Sequence, residues 1–264
     1  MYDFAYEKPT ALTDAVATLK AEPDAKALAG GQTFIPVLKQ RLNKPSTVVD
    51  LARLGLVGIT VTPTTVTIGA MTTHAAVAGS AEVQKAIPAL AYLASMIGDW
   101  QVRHRGTIGG SLANNDPSAC YPSALLALGG TITTDRRTIS ADDYFQGMFT
   151  TALEDGELIT SVSLPVPEKA AYQKFRNPAS RYAMVGVFVA KFRAGVRVAI
   201  TGASQSGVFR HTEFEAALSK DFSPAAIAGI KTSADGLNSD IHASAEYRAH
   251  LIGVMAKRAV EAAG

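Results

Sequence analysis

Cysteine is almost absent: the 264 residues contain one, Cys120. That excludes an internal disulfide, and it excludes any iron–sulfur cluster or zinc site drawing several thiolates from this chain. A redox metal serving this protein therefore belongs to another polypeptide. The five histidines (His74, His104, His211, His242 and His250) fall in no HExxH or close carboxylate pattern, so imidazole ligation of a metal is not expected. An excess of one charge is also missing. The 25 basic and 23 acidic residues leave a formal net charge of +2 and are scattered along the chain. No Lys/Arg run offers the footprint of a nucleic-acid binder. No stretch reaches the ~18–20 uninterrupted apolar residues of a membrane-spanning helix. The opening Met1-Tyr2-Asp3-Phe4 lacks the basic-then-apolar order of a signal peptide, so a cytoplasmic location is expected.

What the chain does have is 47% hydrophobic and 18% charged residues, a globular composition with enough apolar side chains for a core. The length exceeds the usual ~100–150-residue domain, and two domains are expected. Thr10 reads as the N-cap of a helix carrying Leu12, Ala15, Val16 and Leu19 on one side. Residues 26–29 read as a strand, 30–33 as a glycine turn, and the positions from Phe34 as a helix stopped by Lys44-Pro45. Strands are expected at 46–51, 58–62 and 65–70. Helical patterning runs from Thr73 to Ile97, interrupted at Gly79-Ser80 and Pro88, and returns over 117–128, with a strand at 130–134. Residues 157–164 read as a strand ended by Pro165-Val166-Pro167, and the domain boundary is placed there, giving 1–164 and 168–264. Beyond it come strands at 172–175, 184–192 and 196–202 and three helical stretches. The last begins near Ala243, with Tyr247, Leu251, Val254, Met255 and Arg258 on one side.

The usual nucleotide signatures are missing. No GxGxxG opens a helix after a strand, and no GxxxxGK[ST] occurs, since no lysine follows a glycine. In their place stand two double-glycine turns, Ala29-Gly30-Gly31-Gln32-Thr33 and Thr107-Ile108-Gly109-Gly110-Ser111. Consecutive glycines let backbone N–H groups turn toward a ligand and approach a pyrophosphate closely. They equally make a tight turn with no ligand at all, and the residues alone leave both readings open.

Four segments in order, residues 28–36, 68–74, 105–117 and 245–248, resemble the FAD-binding medium subunit of the carbon monoxide dehydrogenase and xanthine dehydrogenase family of molybdenum hydroxylases. They read LAGGQTFIP, IGAMTTH, RGTIGGSLANNDP and AEYR, and the resemblance runs nearly end to end. It implies an α+β fold of the p-cresol methylhydroxylase type, two α/β lobes with FAD between them. A C-terminal domain with a three-stranded antiparallel sheet and a helical bundle follows. It also implies partners: a large molybdopterin subunit and a small subunit with 2Fe–2S clusters, assembled as a dimer of heterotrimers. A peripheral contact of the complex with the inner face of the membrane is compatible with this picture. Electrons would enter this chain from the clusters and leave to a quinone, NAD or oxygen.

The same resemblance assigns residues. Ala29, Gly30, Gly31, Gln32 and Thr33, with Ile35 beyond, and Thr107, Ile108, Gly109, Gly110 and Ser111 would hold the pyrophosphate and ribityl chain, largely through backbone N–H groups. Ile97 would pack on the flavin, Ile159 would lie against the adenine end or the ring system, and Lys174 would approach the polar edge of the isoalloxazine. Tyr182 would lay its ring over the flavin. Thr72 and His74 are further candidates for polar contacts. Cys120 stands where many relatives carry an aspartate, so a weakly hydrogen-bonding thiol replaces a carboxylate. Read without the family, Ile97, Ile159 and Cys120 are core residues, Lys174 is a solvated charge and Tyr182 is packing. The competing function is a free-standing flavin oxidase of the p-cresol methylhydroxylase type, which would need its own substrate domain and catalytic cluster.

Overall fold

The computed structural model describes Met1–Gly264. Its first lobe is a three-stranded parallel sheet with Thr47–Asp50 between Ala5–Glu7 and Lys26–Leu28. Parallel neighbours need crossovers, supplied here by helices Leu12–Ala21 and Phe34–Lys39. The central strand, Thr-Val-Val-Asp, is buried at every position, as β-branched residues covered on both faces should be. The first helix starts later than expected. Ala11, not Thr10, is the N-cap, and no side chain caps it. The second helix stops at Lys39 because Arg41 turns left-handed at φ +58°, before Lys44-Pro45 is reached.

The second lobe is a five-stranded antiparallel sheet in the order Ile59–Val61, Thr65–Gly69, Ile159–Pro165, Thr131–Thr134, Thr138–Ser140. In Thr65–Gly69 only Val66 and Ile68 are buried, the alternation a half-covered strand requires. The helical stretch from Thr73 divides where the sequence marks it. Ser80 caps Ala81–Ala86 by accepting from the Val83 N–H, and Pro88 begins Pro88–Ser95. Two helices not foreseen follow, Trp100–Arg105 and Ile108–Asn114. The helix expected from residue 117 begins at Tyr121 and is buried throughout its length, Tyr121–Leu128. The strand expected from residue 157 begins at Ile159. Pro165 still stands in the ladder, as its last rung opposite Thr65.

The C-terminal sheet has four antiparallel strands, Lys169–Arg176, Ala183–Phe192, Gly195–Thr201 and Phe209–Arg210, the last being two residues long. Its two faces go different ways. Val185, Val187 and Val189 pack with Phe214, Leu251, Ile252 and Met255 under helices Thr212–Lys220 and Ala245–Ala263. Tyr172, Phe188, Ala190 and Ala199 join the core that surrounds Tyr121–Leu128. The middle of the three closing helical stretches is a single 3₁₀ turn, Pro224–Ile227. The buried stripe of the last helix is Arg248, Leu251, Ile252, Met255, Ala256, Ala259 and Val260, whereas Tyr247 and Arg258 face water.

Candidate functional site

A cleft of about 870 Å³ opens where the two lobes and the start of the C-terminal sheet meet, a volume suited to a sizeable organic ligand. Both glycine segments line it. The first, between strand Lys26–Leu28 and helix Phe34–Lys39, is the turn its sequence suggests. Gly31 sits at φ +76°, which glycine adopts without strain. A Cβ on Gly30 would lie 2.1 Å from the Arg105 carbonyl oxygen. The Gln32 side chain donates to the Gly30 carbonyl at 3.1 Å. The backbone N–H groups of Gly30, Gly31, Gln32 and Thr33 have no acceptor within the protein.

The second segment is not a loop. Thr107 is the N-cap of helix Ile108–Asn114, and Gly109, Gly110 and Ser111 lie inside its first turn. Its N–H groups are already used. Ile108 donates to the Thr72 carbonyl at 3.1 Å, Gly109 to the Ala70 carbonyl at 2.8 Å, Gly110 to Thr107 Oγ1 at 3.1 Å and Ser111 to the Thr107 carbonyl at 3.0 Å. The expectation of a second N–H cradle is therefore corrected: the glycines here serve close packing. A Cβ on Gly109 would lie 2.6 Å from Ala70 Cβ, and one on Gly110 would lie 3.2 Å from Ala29 Cβ in the first turn.

Three residues expected at the site do not line the cleft. Ile108, 1% exposed, belongs to the core beside Leu90 and Leu112. Ile35 lies beneath Gly31. Thr72 both donates to the Gly58 carbonyl and accepts from the Gly58 N–H, pinning that loop. His74 does line the cleft, with Nδ1 buried and without a hydrogen bond. Burial, helped by the Arg103 charge, lowers its pKa to about 4, so the ring is neutral near pH 7.

Ile97, Ile159, Cys120, Lys174 and Tyr182 all reach the cleft wall. Lys174 is no free surface cation: Nζ donates to the Met96 carbonyl at 3.0 Å and to Cys120 Sγ at 3.3 Å. Cys120, 4% exposed, is thereby an acceptor on the wall. Tyr182 stands 51% exposed at the mouth. Its phenol is pushed above the usual tyrosine range by burial first and then by Asp116 and Cys120. It stays protonated.

One acid on the wall was not anticipated. The Glu157 carboxylate accepts from Arg137 Nε and Nη2 at 3.0 and 2.9 Å, from Thr134 Oγ1 at 2.7 Å and from the Glu154 N–H at 2.8 Å. These bonds, Arg137 foremost, hold its pKa down at about 2 despite burial. Asp99 and Asp116 also line the cleft, each occupied by a backbone N–H, from Val102 and Ser118 respectively, at 2.8 Å. Asp99 was findable as an N-cap before Trp100. Nothing local marks Glu157. No three His, Cys, Asp or Glu side chains cluster as a metal site. The arrangement offers unpaired backbone donors at one wall, apolar side chains along others and an aromatic ring at the mouth. Its chemistry is that of a binding site for a large anionic, partly aromatic molecule.

Comparison with known proteins agrees. Residues 2–167 match the family described as the FAD binding domain in molybdopterin dehydrogenase. The carbon monoxide dehydrogenase medium chain of Afipia carboxidovorans is 35% identical over 98% of this chain and 96% of that protein. The nicotine 6-hydroxylase medium subunit of Paenarthrobacter nicotinovorans is 37% identical over the same shares. The structure of reconstituted CO dehydrogenase from Oligotropha carboxidovorans superposes with a TM-score of 0.89 at 34% identity, covering 99% of this chain and 98% of that one. No helix here is long and apolar enough to cross a membrane. The chain belongs to the FAD-binding medium subunits of the molybdenum hydroxylases, an oxidoreductase family whose members include the carbon monoxide dehydrogenase and xanthine dehydrogenase flavoproteins.

Proposed function

We propose that this chain is the electron exit of a three-subunit molybdenum hydroxylase. It receives electrons from 2Fe–2S clusters in a small subunit and delivers them to an external acceptor, a quinone, NAD or oxygen, while the substrate is oxidised at molybdopterin in a large subunit. Assembly as a dimer of heterotrimers in the cytoplasm, with any membrane contact made through the complex, is part of the same reading. FAD suits the position because it accepts electrons singly and returns one or two. The division of labour within the chain is 1–164 for most of the cofactor site and 168–264 for its remaining wall.

The observation that carries the binding geometry is the set of four unpaired N–H groups at Gly30, Gly31, Gln32 and Thr33 on the cleft wall. Successive backbone donors of this kind form a nest for phosphate oxygens. Thr107, Gly109, Gly110 and Ser111 then supply a smooth, close wall, with the Ser111 hydroxyl free to meet the ribityl chain. Ile97 and Ile159 exclude water from the ring system and the adenine end. Lys174, held by Met96 and Cys120, presents positive charge to the polar edge, and Tyr182 stacks over the outer face.

Rapid-mixing spectroscopy of the purified complex tests the relay. After reduction by substrate, the cluster signals should appear before the visible flavin band bleaches. A complex stripped of FAD should still reduce its clusters but lose transfer to the acceptor. Undiminished acceptor reduction by the stripped complex would sink the proposal.

A further inference from the structure

The segment at 245–248 touches no part of the cleft, yet its arginine is among the most deeply enclosed charges in the molecule. Arg248, on the first turns of helix Ala245–Ala263, is 3% exposed. Its Nη1 donates to the Met184 carbonyl at 2.8 Å and to the Gly202 carbonyl at 3.2 Å, and its Nη2 donates to Asp240 Oδ2 at 2.7 Å. One planar group therefore ties together the start of strand Ala183–Phe192 and the residue that follows strand Gly195–Thr201. Those two strand ends lie against each other so closely that a Cβ on Gly202 would come 2.3 Å from the Ala183 carbonyl oxygen.

Each strand end leads directly to the cleft. Tyr182 is the residue before Ala183. On the other side, the Gly202 N–H donates to the Pro117 carbonyl at 2.8 Å. Thr201 Oγ1 reaches the Pro117 and Ala119 carbonyls at 2.9 and 2.7 Å. Ser118, Ala119 and Cys120 line the cleft. The guanidinium is thus two residues from Tyr182 along one strand and one hydrogen bond from the 117–119 carbonyls through the other.

We propose that Arg248 is a positioning residue for the flavin: it locks two strand ends so that Tyr182 and the Ser118–Cys120 wall keep a fixed separation across the cofactor. This rests on the reading that Tyr182 and that wall face FAD. Lysine replaces the group only in part, because Nη1 serves both carbonyls while Nη2 serves the carboxylate, and an ammonium lacks that fixed fork. Burying so polar a group is costly unless all its bonds are made, and the Arg248 Nε has no partner. The position is thus tuned to the two strand ends at the expense of one donor.

The test uses the full-length chain with FAD and reads the dissociation constant for FAD and the visible circular dichroism of the bound flavin. Arg248→Met should weaken FAD binding about 10- to 100-fold, the scale on which outer-shell partners of metal ligands act, and should alter the dichroism. Arg248→Lys should fall between it and the wild type. Asp240→Asn removes only the ion pair and Met255→Ala only core packing on the same helix. Both should lower Tm while leaving the dichroism and FAD affinity near wild type. Wild-type affinity and dichroism in Arg248→Met, or equal changes in Asp240→Asn or Met255→Ala at matched loss of Tm, would overturn the proposal. Where Arg248→Met does not fold, the contrast between Arg248→Lys and Asp240→Asn decides. Tyr182→Ala in the same assay isolates the underlying reading: unchanged dichroism there means that Tyr182 does not face the flavin.

Discussion

The two glycine segments look alike in sequence and border the same cleft, but they spend their backbones oppositely. At 30–33 the chain leaves four N–H groups without protein acceptors. At 107–111 every N–H from Ile108 to Ser111 is bonded internally, and glycine is required so that helix Ile108–Asn114 can press onto Ala70 and Ala29. One pair of glycines leaves its donors open to the cleft and the other turns its donors to the protein. A diglycine motif therefore does not announce an anion site. What announces it is the fate of the N–H groups, which depends on the segments folded against them.

Substitutions should separate the two along different axes. The largest effect is expected for Gly109→Val, whose added atoms collide with Ala70. Overpacking there should cost about 3 kcal/mol, seen as a lower Tm whether or not FAD is present. An unchanged Tm of the FAD-free protein would show that this glycine serves the ligand after all. Gly31→Ala meets only the flexible end of Ile35, but at φ +76°. It should cost about 1–2 kcal/mol of backbone strain and should weaken FAD binding by more than its Tm loss implies. A Tm loss without a change in affinity would erase the distinction between the turns. Thr107→Ala removes the cap on Gly110, and about 1 kcal/mol of stability should go with it. FAD affinity should fall less than in Gly31→Ala, as isothermal titration would report.

A further effect, read through pH, concerns the charged wall, which neither turn supplies. Glu157 has a folded pKa of about 2 against an ordinary 4.5. A depressed carboxylate stabilises the fold fully above the unfolded value and loses that contribution as pH falls from about 4.5 toward about 2. Denaturant melts across that window should show the loss in wild type and a flatter response in Glu157→Gln. Parallel curves would mean that the Arg137 pair contributes nothing to folding.

Much of this was legible in the residues. The glycine turn and helix at 30–39 announce themselves by Gly30-Gly31 and the apolar spacing of Phe34, Val37 and Leu38, and Ser80 and Pro88 mark helix starts by their own chemistry. Helix Ile108–Asn114 is hidden in the sequence because two glycines oppose helix propensity by about 1 kcal/mol each, while the contacts that favour it, with Thr72, Ala70 and Ala29, come from distant segments. The resemblance points to Lys174 but not to its partners, since Met96 and Cys120 reach it only after the C-terminal sheet packs on the second lobe. Glu157 and Arg137 meet across 20 residues, and no local pattern encodes that pair. On the last helix the expected side holds for Leu251 and Met255, whereas Tyr247 and Arg258 are exposed and Arg248 is buried.

Tyr172, Phe188, Ala190 and Ala199 of the C-terminal sheet share one core with helix Tyr121–Leu128. The family's matched segment, residues 2–167, is thus not a cassette that could be cut out and moved. Severed at its prolines, it would present that apolar helix to water, and apolar surface so exposed invites aggregation. The same seam restricts exchange of C-terminal halves among relatives: a substitute sheet must bring side chains that fill the spaces beside Tyr121–Leu128 before the chimera can hold anything at all.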